Sequence, residues 1–223
     1  MPSFSGIPSF SRLVPVLAAG LLLLAAAVVP VSDRAQAAEP VRILAFGDSL
    51  TAGYGLPQED GFVPQLQQAL DKMGRRAQVI NGGVSGDTTA GGVARLDWML
   101  ADRPDIVILE LGANDALRGL PPEEARRNLE TIIQRIKDTG AEILLAGMLA
   151  PRNMGEDYAD AFDAIYPDLA AAHQLELYPF FLEGVATRPE LNQGDGIHPT
   201  REGVAVIVEG IMPQLARLLD NAS

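Results

Sequence analysis

Residues 41–50 read Val41-Arg42-Ile43-Leu44-Ala45-Phe46-Gly47-Asp48-Ser49-Leu50, an apolar run that ends in small and polar residues. Strands buried on both faces of a parallel sheet read as continuous apolar runs rather than as alternations. A strand that breaks into a helix through a small-residue turn lifts a side chain out at the carboxyl edge of the sheet, and Ser49 stands at that break. Four more runs of this kind follow, Ala77 to Ile80, Ile106 to Leu111, Ile143 to Gly147 and Leu175 to Tyr178. Between them, Pro64 to Met73, Thr88 to Leu100, Pro122 to Asp138 and Tyr158 to His173 have helical spacing, with Gly74 and Gly140 placed as C-terminal stops. A last helix is expected from about Thr200 to Leu219, with Val204, Ile207, Val208, Ile211, Leu215 and Leu218 on one face. Strand–helix alternation implies right-handed crossovers and a three-layer α/β/α sandwich on a five-stranded parallel sheet, with ligands at the carboxyl ends of the strands.

Serine at neutral pH is a weak nucleophile and needs a neighbouring base. The chain has two histidines. His173 ends an expected helix with no acid at a useful spacing and reads as a helix-end histidine. His198 lies in Gly194-Asp195-Gly196-Ile197-His198-Pro199, where a tight turn can fold the Asp195 carboxylate back onto the ring. Such a carboxylate fixes the imidazole tautomer and stabilises the imidazolium that forms when a serine proton arrives. Alone, Asp195 would read as a turn former or helix N-cap; beside His198 and Ser49 it reads as the orienting acid. Two loops at strand ends offer donors for an oxyanion: Asn81-Gly82-Gly83-Val84-Ser85-Gly86-Asp87-Thr88 and Gly112-Ala113-Asn114-Asp115. Asp48 reads as a structural hydrogen-bonding residue of the first turn.

In order along the chain, Gly47-Asp48-Ser49-Leu50-Thr51-Ala52-Gly53-Tyr54-Gly55, Ser85-Gly86-Asp87-Thr88-Thr89, Glu110-Leu111-Gly112-Ala113-Asn114-Asp115-Ala116-Leu117-Arg118-Gly119 and Asp195-Gly196-Ile197-His198-Pro199 resemble the four blocks of the SGNH, or GDSL, hydrolase superfamily. The similarity runs from Ile43 to about His198 and is strongest to the bacterial periplasmic branch of arylesterases, acyl-CoA thioesterases and lysophospholipases. It implies a flavodoxin-like strand order, a catalytic set of Ser49, Asp195 and His198, and an oxyanion hole of Ser49, Gly86 and Asn114. Gly83 remains an alternative to Gly86, which is preferred because it lies in the Ser-Gly-Asp-Thr string. It also implies a lid over bound acyl chains at Asp115 to Leu120. Leu117, Leu120, Met148, Leu149 and Ile197 flank the expected site and are candidates to line an acyl groove. The implied activity is hydrolysis of aryl esters, short to medium acyl esters and thioesters, acyl-CoA and lysophospholipids. An O-acetylesterase acting on carbohydrate or peptidoglycan is the alternative within hydrolases, and a non-catalytic lipid- or glycan-binding envelope protein the alternative outside them.

The N-terminus indicates a location. Residues 1–12 are polar and weakly basic, Leu13 to Val31 are almost wholly apolar, and Ala35-Gln36-Ala37 forms an A-x-A cleavage pattern. A signal peptide cut after Ala37 is expected, leaving a hydrolase domain at 38–223 without a stable membrane anchor, in the periplasm or outside the cell. The formal net charge of −12 disfavours nucleic acid as a partner, and a monomer acting on a small-molecule ester or thioester is the expectation. The chain has no cysteine, so an oxidising compartment supplies no disulfide. No metal and no cofactor are expected: the acidic pairs Glu123-Glu124 and Glu156-Asp157 fall at helix starts or loops, where negative charge suits the helix dipole.

Overall fold

A computed structural model of the protein describes residues 39–221. Its centre is a parallel sheet of β1 (Val41–Gly47), β2 (Ala77–Gly83), β3 (Ile106–Glu110), β4 (Glu142–Ala146) and β5 (Glu176–Tyr178) in the order β2-β1-β3-β4-β5. This is the flavodoxin-like order implied by the resemblance. Ile43 to Phe46 and all of β3 are buried, as expected of strands covered on both faces. Eight α-helices are described: α1 (Ser49–Ala52), α2 (Phe62–Lys72), α3 (Thr89–Leu100), α4 (Ala113–Leu117), α5 (Pro122–Thr139), α6 (Glu156–Asp163), α7 (Ile165–His173) and α8 (Arg201–Asn221). α2 packs with α8 in one layer, and α3, α5, α6 and α7 form the contacts of the other. The expected leader at residues 1–37 lies outside the described residues.

Two helices depart from their expected limits for reasons of proline chemistry. α2 starts at Phe62, ahead of Pro64, because the missing N–H of a first-turn proline has no intrahelical acceptor anyway. The segment expected as one helix from Tyr158 to His173 divides at Ala164 into α6 and α7. Pro167 cannot donate to the carbonyl four residues before it and its ring collides there, so the helix restarts with Pro167 in its first turn. Gly140 ends α5 in the left-handed conformation.

The chain runs from β1 outward to β2 and then crosses back over β1 to β3, so the strand order reverses between the carboxyl ends of β1 and β3. Crevices at such switch points are where doubly wound sheets bind ligands. Register sets Gly83, Gly47 and Glu110 side by side at this edge. A Cβ on Gly47 would overlap the Thr51 hydroxyl and the Glu110 carboxylate, and one on Gly83 would overlap the backbone of Thr51 and Ala52. Both glycines let α1 sit directly on the sheet edge. Glu110 is fully buried and accepts hydrogen bonds from Thr51 Oγ1 at 2.7 Å and from the Asp48 N–H at 3.2 Å, which pegs the β1–α1 turn to β3. On the other side of the turn, Arg95 of α3 donates to the carbonyls of Gly82 (2.7 Å) and Gly47 (2.8 Å) and to Asp87 Oδ2 (2.6 Å). Its guanidinium lies 4.1 Å from the centroid of the Phe46 ring. One cation thus joins the ends of β1 and β2 to the loop that follows β2.

Burial pushes the Glu110 carboxyl well above its ordinary range, reinforced by the nearby Asp48 and opposed by the bonds from Thr51 and Asp48. A carboxyl with a raised folded-state pKa stabilises the fold fully below its unfolded pKa, and that contribution is lost as pH rises through the folded value. Replacement Glu110→Gln keeps the acceptor oxygen and removes the titration. The melting temperature of Glu110→Gln relative to the parent is expected to be higher at about pH 8 than at about pH 5. A pH-independent difference would refute a raised Glu110.

Candidate active site

The β1–α1 turn presents Ser49 as the first residue of α1, with Asp48 as its N-cap accepting from the Leu50 N–H at 3.0 Å. Ser49 Oγ lies 2.9 Å from His198 Nε2, and His198 Nδ1 lies 2.7 Å from Asp195 Oδ2. The tautomer that satisfies both contacts carries its proton on Nδ1, donates to Asp195 and leaves Nε2 to accept from the serine hydroxyl. Asp195 Oδ1 also accepts from the N–H groups of Ile197 and His198, each at 3.0 Å. The turn that closes the spacing Asp195-Gly196-Ile197-His198 is thus held by the acid it presents, with Gly196 at φ 74°. Three charge-assisted contacts, with the His198 side chain foremost, lower the Asp195 pKa to about 2, so the carboxylate stays ionised across the neutral range.

The two donor loops close over Ser49 from opposite sides. Gly86 lines the cleft at φ 79°, a conformation open to glycine and costly for other residues. Gly83 lies instead against the backbone of α1 and lines no part of the cleft, so of the two alternatives Gly86 is the one at the site. The N–H groups of Ser49 and Gly86 have no acceptor among the described residues. Arg118 Nη2 donates to the Gly86 carbonyl at 2.7 Å, and Asp87 is gripped by Arg95, so the peptide on each side of the Gly86 loop is tied down. Asn114, in α4, donates one amide hydrogen to Asp48 Oδ2 at 3.0 Å, which leaves the second for the cleft that Asn114 lines. The turn acid Asp48 therefore aims the amide of another loop as well as capping α1. Burial raises its pKa to about 6, against the lowering effect of its bonds to Leu50 and Asn114. Asp115, next to Asn114, accepts from Thr89 N–H at 2.9 Å and Thr89 Oγ1 at 2.6 Å, fastening α4 to the start of α3.

The cleft has a volume of about 480 Å³ and extends from Ser49 along a largely apolar wall. Of the groove candidates, Leu117, Met148, Leu149 and Ile197 line it. Leu120 does not: α4 ends at Leu117, Gly119 turns the chain at φ 63°, and the Leu120 carbonyl accepts from the Tyr158 hydroxyl outside the cleft. Within the lid candidate Asp115 to Leu120, Asp115 and Ala116 are buried, while Leu117 to Gly119 are exposed and joined to the neighbouring loop through Arg118 and the Gly86 carbonyl. Tyr54, Phe180 and Leu182 also line the cleft and were not expected there. The apolar pair around Phe181, just beyond β5, was a signal for the last two, since residues after a parallel strand emerge at the same edge as Ser49. Tyr54 packs its ring against His198 at a centroid separation of 4.6 Å. His173 ends α7, 3.7 Å from Glu130, remote from this cluster. Glu123-Glu124 and Glu156-Asp157 occupy first turns of α5 and α6, and no cluster of potential metal ligands occurs among the described residues.

A hydroxyl, an imidazole and an ionised carboxylate thus stand in series at the mouth of a cleft that Gly86 and Asn114 also line, a set of groups suited to acyl transfer. Residues 45–206 match the model of the GDSL-like lipase/acylhydrolase family. An arylesterase of Vibrio mimicus is 45% identical over 189 residues, covering 84% of this chain and 94% of its own length. The thioesterase 1/protease 1/lysophospholipase L1 of Escherichia coli is 40% identical over 197 residues, covering 88% of this chain and 92% of its own. The crystal structure of psychrotrophic esterase EstA from a Pseudoalteromonas species, inhibited by monoethylphosphonate, superposes with a TM-score of 0.77 at 32% identity, covering 81% of this chain and 99% of that one. This chain belongs to the GDSL-like lipase/acylhydrolase family.

Proposed function

We propose that the protein is a secreted serine esterase that hydrolyses carboxylic esters and thioesters through an acyl-enzyme on Ser49. The observation that carries this reading is the continuous contact from Asp195 through His198 to Ser49, at 2.7 and 2.9 Å, opening on an apolar cleft. His198 removes the Ser49 proton as the hydroxyl oxygen bonds to the ester or thioester carbonyl carbon, and Asp195 holds the imidazolium. The oxyanion is received by the N–H groups of Ser49 and Gly86 and by the Asn114 amide. His198 passes its proton to the departing alcohol or thiol as the tetrahedral adduct collapses. Water, deprotonated by the same imidazole, then adds to the acyl carbon, and the bond to Ser49 Oγ breaks as His198 returns the proton to that oxygen and frees the acid. Asp48 sharpens this step by fixing the Asn114 amide before charge develops, since preorganised donors need no reorientation in the transition state.

The substrate class follows from the cleft. Leu117, Met148, Leu149, Phe180, Leu182 and Ile197 offer a wall for several methylenes, more than an acetyl group would use. This favours short to medium acyl chains over an O-acetylesterase. The relatives named as arylesterase and as thioesterase and lysophospholipase support activity on aryl esters, acyl thioesters and lysophospholipids. Secretion rests on the apolar run from Leu13 to Val31 and the Ala35-Gln36-Ala37 pattern. Among the described residues no helix is long and apolar enough to cross a membrane. A mature form starting at Ala38 acts in the periplasm or beyond it, as a monomer without metal or cofactor.

With an aryl ester as substrate, Ser49→Ala is expected to lower kcat by at least about a thousandfold, and Asn114→Ala by roughly a hundredfold or more. Full activity in Ser49→Ala would overturn the mechanism. Across p-nitrophenyl esters from acetyl to palmitoyl, kcat/KM is expected to rise beyond acetyl and peak at a medium chain. A preference confined to acetyl would move the assignment to the O-acetylesterase reading.

A further inference from the structure

Ser49 and His198 come from segments far apart in the chain, and little besides their own contact joins them. Among the described residues, one other hydrogen bond links residues 49–56 to residues 193–199: Gln193 Nε2 donates to the Tyr54 carbonyl at 2.8 Å. The same nitrogen donates to the Pro199 carbonyl at 2.9 Å, so the two hydrogens of one amide are divided between the Ser49 segment and the His198 segment. The Gln193 backbone adds its own grip. Its N–H donates to the His198 carbonyl at 2.7 Å, and its carbonyl accepts from Gly196 at 2.9 Å, closing the loop that carries Asp195.

The other end of the strap is fixed as well. The Tyr54 N–H donates to the Ser49 carbonyl at 3.1 Å, so hydrogen bonds run without a break from the Ser49 backbone through Tyr54 and Gln193 to the His198 backbone. Gly55 gives way to the amide: a Cβ there would overlap Gln193 Oε1. The Tyr54 ring, whose backbone the amide holds, rests on the imidazole.

We propose that Gln193 is a positioning residue for the reaction, its side-chain amide setting the separation of the Ser49 hydroxyl and the His198 imidazole. The inference rests on the serine-esterase reading above. Gln193 does not touch the reacting atoms. It acts by holding two backbone carbonyls, one on each side of the proton transfer, at a spacing that only a side chain with two donors on one nitrogen can span. Proton transfer and attack are steep functions of such spacing, and a displacement of about 1 Å can cost a hundredfold in rate.

The test compares Gln193→Met with Gln67→Met. Methionine matches glutamine in length and donates no hydrogen bond. Gln67 is a matched control remote from the site: its amide joins α2 to β2 through Ala77 and Val79. Steady-state hydrolysis of a p-nitrophenyl ester and thermal melting are measured for both variants and for the parent. Gln193→Met is expected to lose about 10- to 100-fold in kcat with KM within about twofold. Gln67→Met is expected to melt lower by a comparable amount and to keep the parent kcat. Parental kcat in a folded Gln193→Met would overturn the proposal, as would an equal loss of kcat in Gln67→Met, which would reveal a general effect of destabilisation. An inactive parent would instead refute the esterase reading itself, so the two failures are distinguishable.

Discussion

The structure turns on one hydrogen bond, 2.9 Å between Ser49 Oγ and His198 Nε2, whose partners are 149 residues apart. A contact this distant in sequence is available only if the sheet fixes both segments at the same edge. β1 is an interior strand with β2 and β3 on either side, and its register with both sets Gly83, Gly47 and Glu110 in a row beneath the serine turn. The two glycines bring α1 down onto that row, while Glu110 and Arg95 hold the turn from opposite sides. The His198 segment leads into α8, which packs on α2 and on β4 and β5. Rigid elements therefore supply coarse placement. The Gln193 amide and the Asp195 turn supply the remaining fine adjustment.

Three carboxyl groups near the site behave in different ways because their surroundings differ. Asp195 is half exposed, accepts three hydrogen bonds and is held to about 2, which suits an acid that must stay charged beside an imidazole. Asp48 is buried, pushed up to about 6, and directs the Asn114 amide. Glu110 is likewise buried and raised well above its ordinary range, and serves as a peg for the turn. Desolvation raises two of them and hydrogen bonding lowers the third. A strongly negative group at the base of an oxyanion site would oppose the charge that develops there, and burial moderates the pair closest to it.

Much of this was legible in the sequence because the relevant signals are local. Continuous apolar runs marked β1, β3 and β4, mixed runs interrupted by Gln78 and Glu176 marked the edge strands β2 and β5, and Asp195 and His198 are close enough in sequence for a turn to unite them. Ser49, Gly86 and Asn114 each follow a strand directly, so parallel topology gathers them without further information. What escaped depends on contacts across the sheet. The distinction between Gly83 and Gly86 rests on how near α1 approaches β2, which no string of residues records. The Gln193 amide reaches the Tyr54 carbonyl 139 residues away and the Tyr54 ring packs on His198, and no pattern in the sequence advertises either contact. Leu120 looked like groove lining because it is apolar and close to Asn114, yet Gly119 turns it away. The break at Ala164 was readable in principle from Pro167.

The most direct test of the account is covalent labelling of the purified mature protein with an organophosphonate probe, followed by peptide mass mapping. The account predicts a single adduct on Ser49 that is absent from His198→Ala, because the hydroxyl is nucleophilic only when the imidazole takes its proton. Absence of labelling in a folded sample, labelling elsewhere, or undiminished labelling of Ser49 in His198→Ala would contradict it.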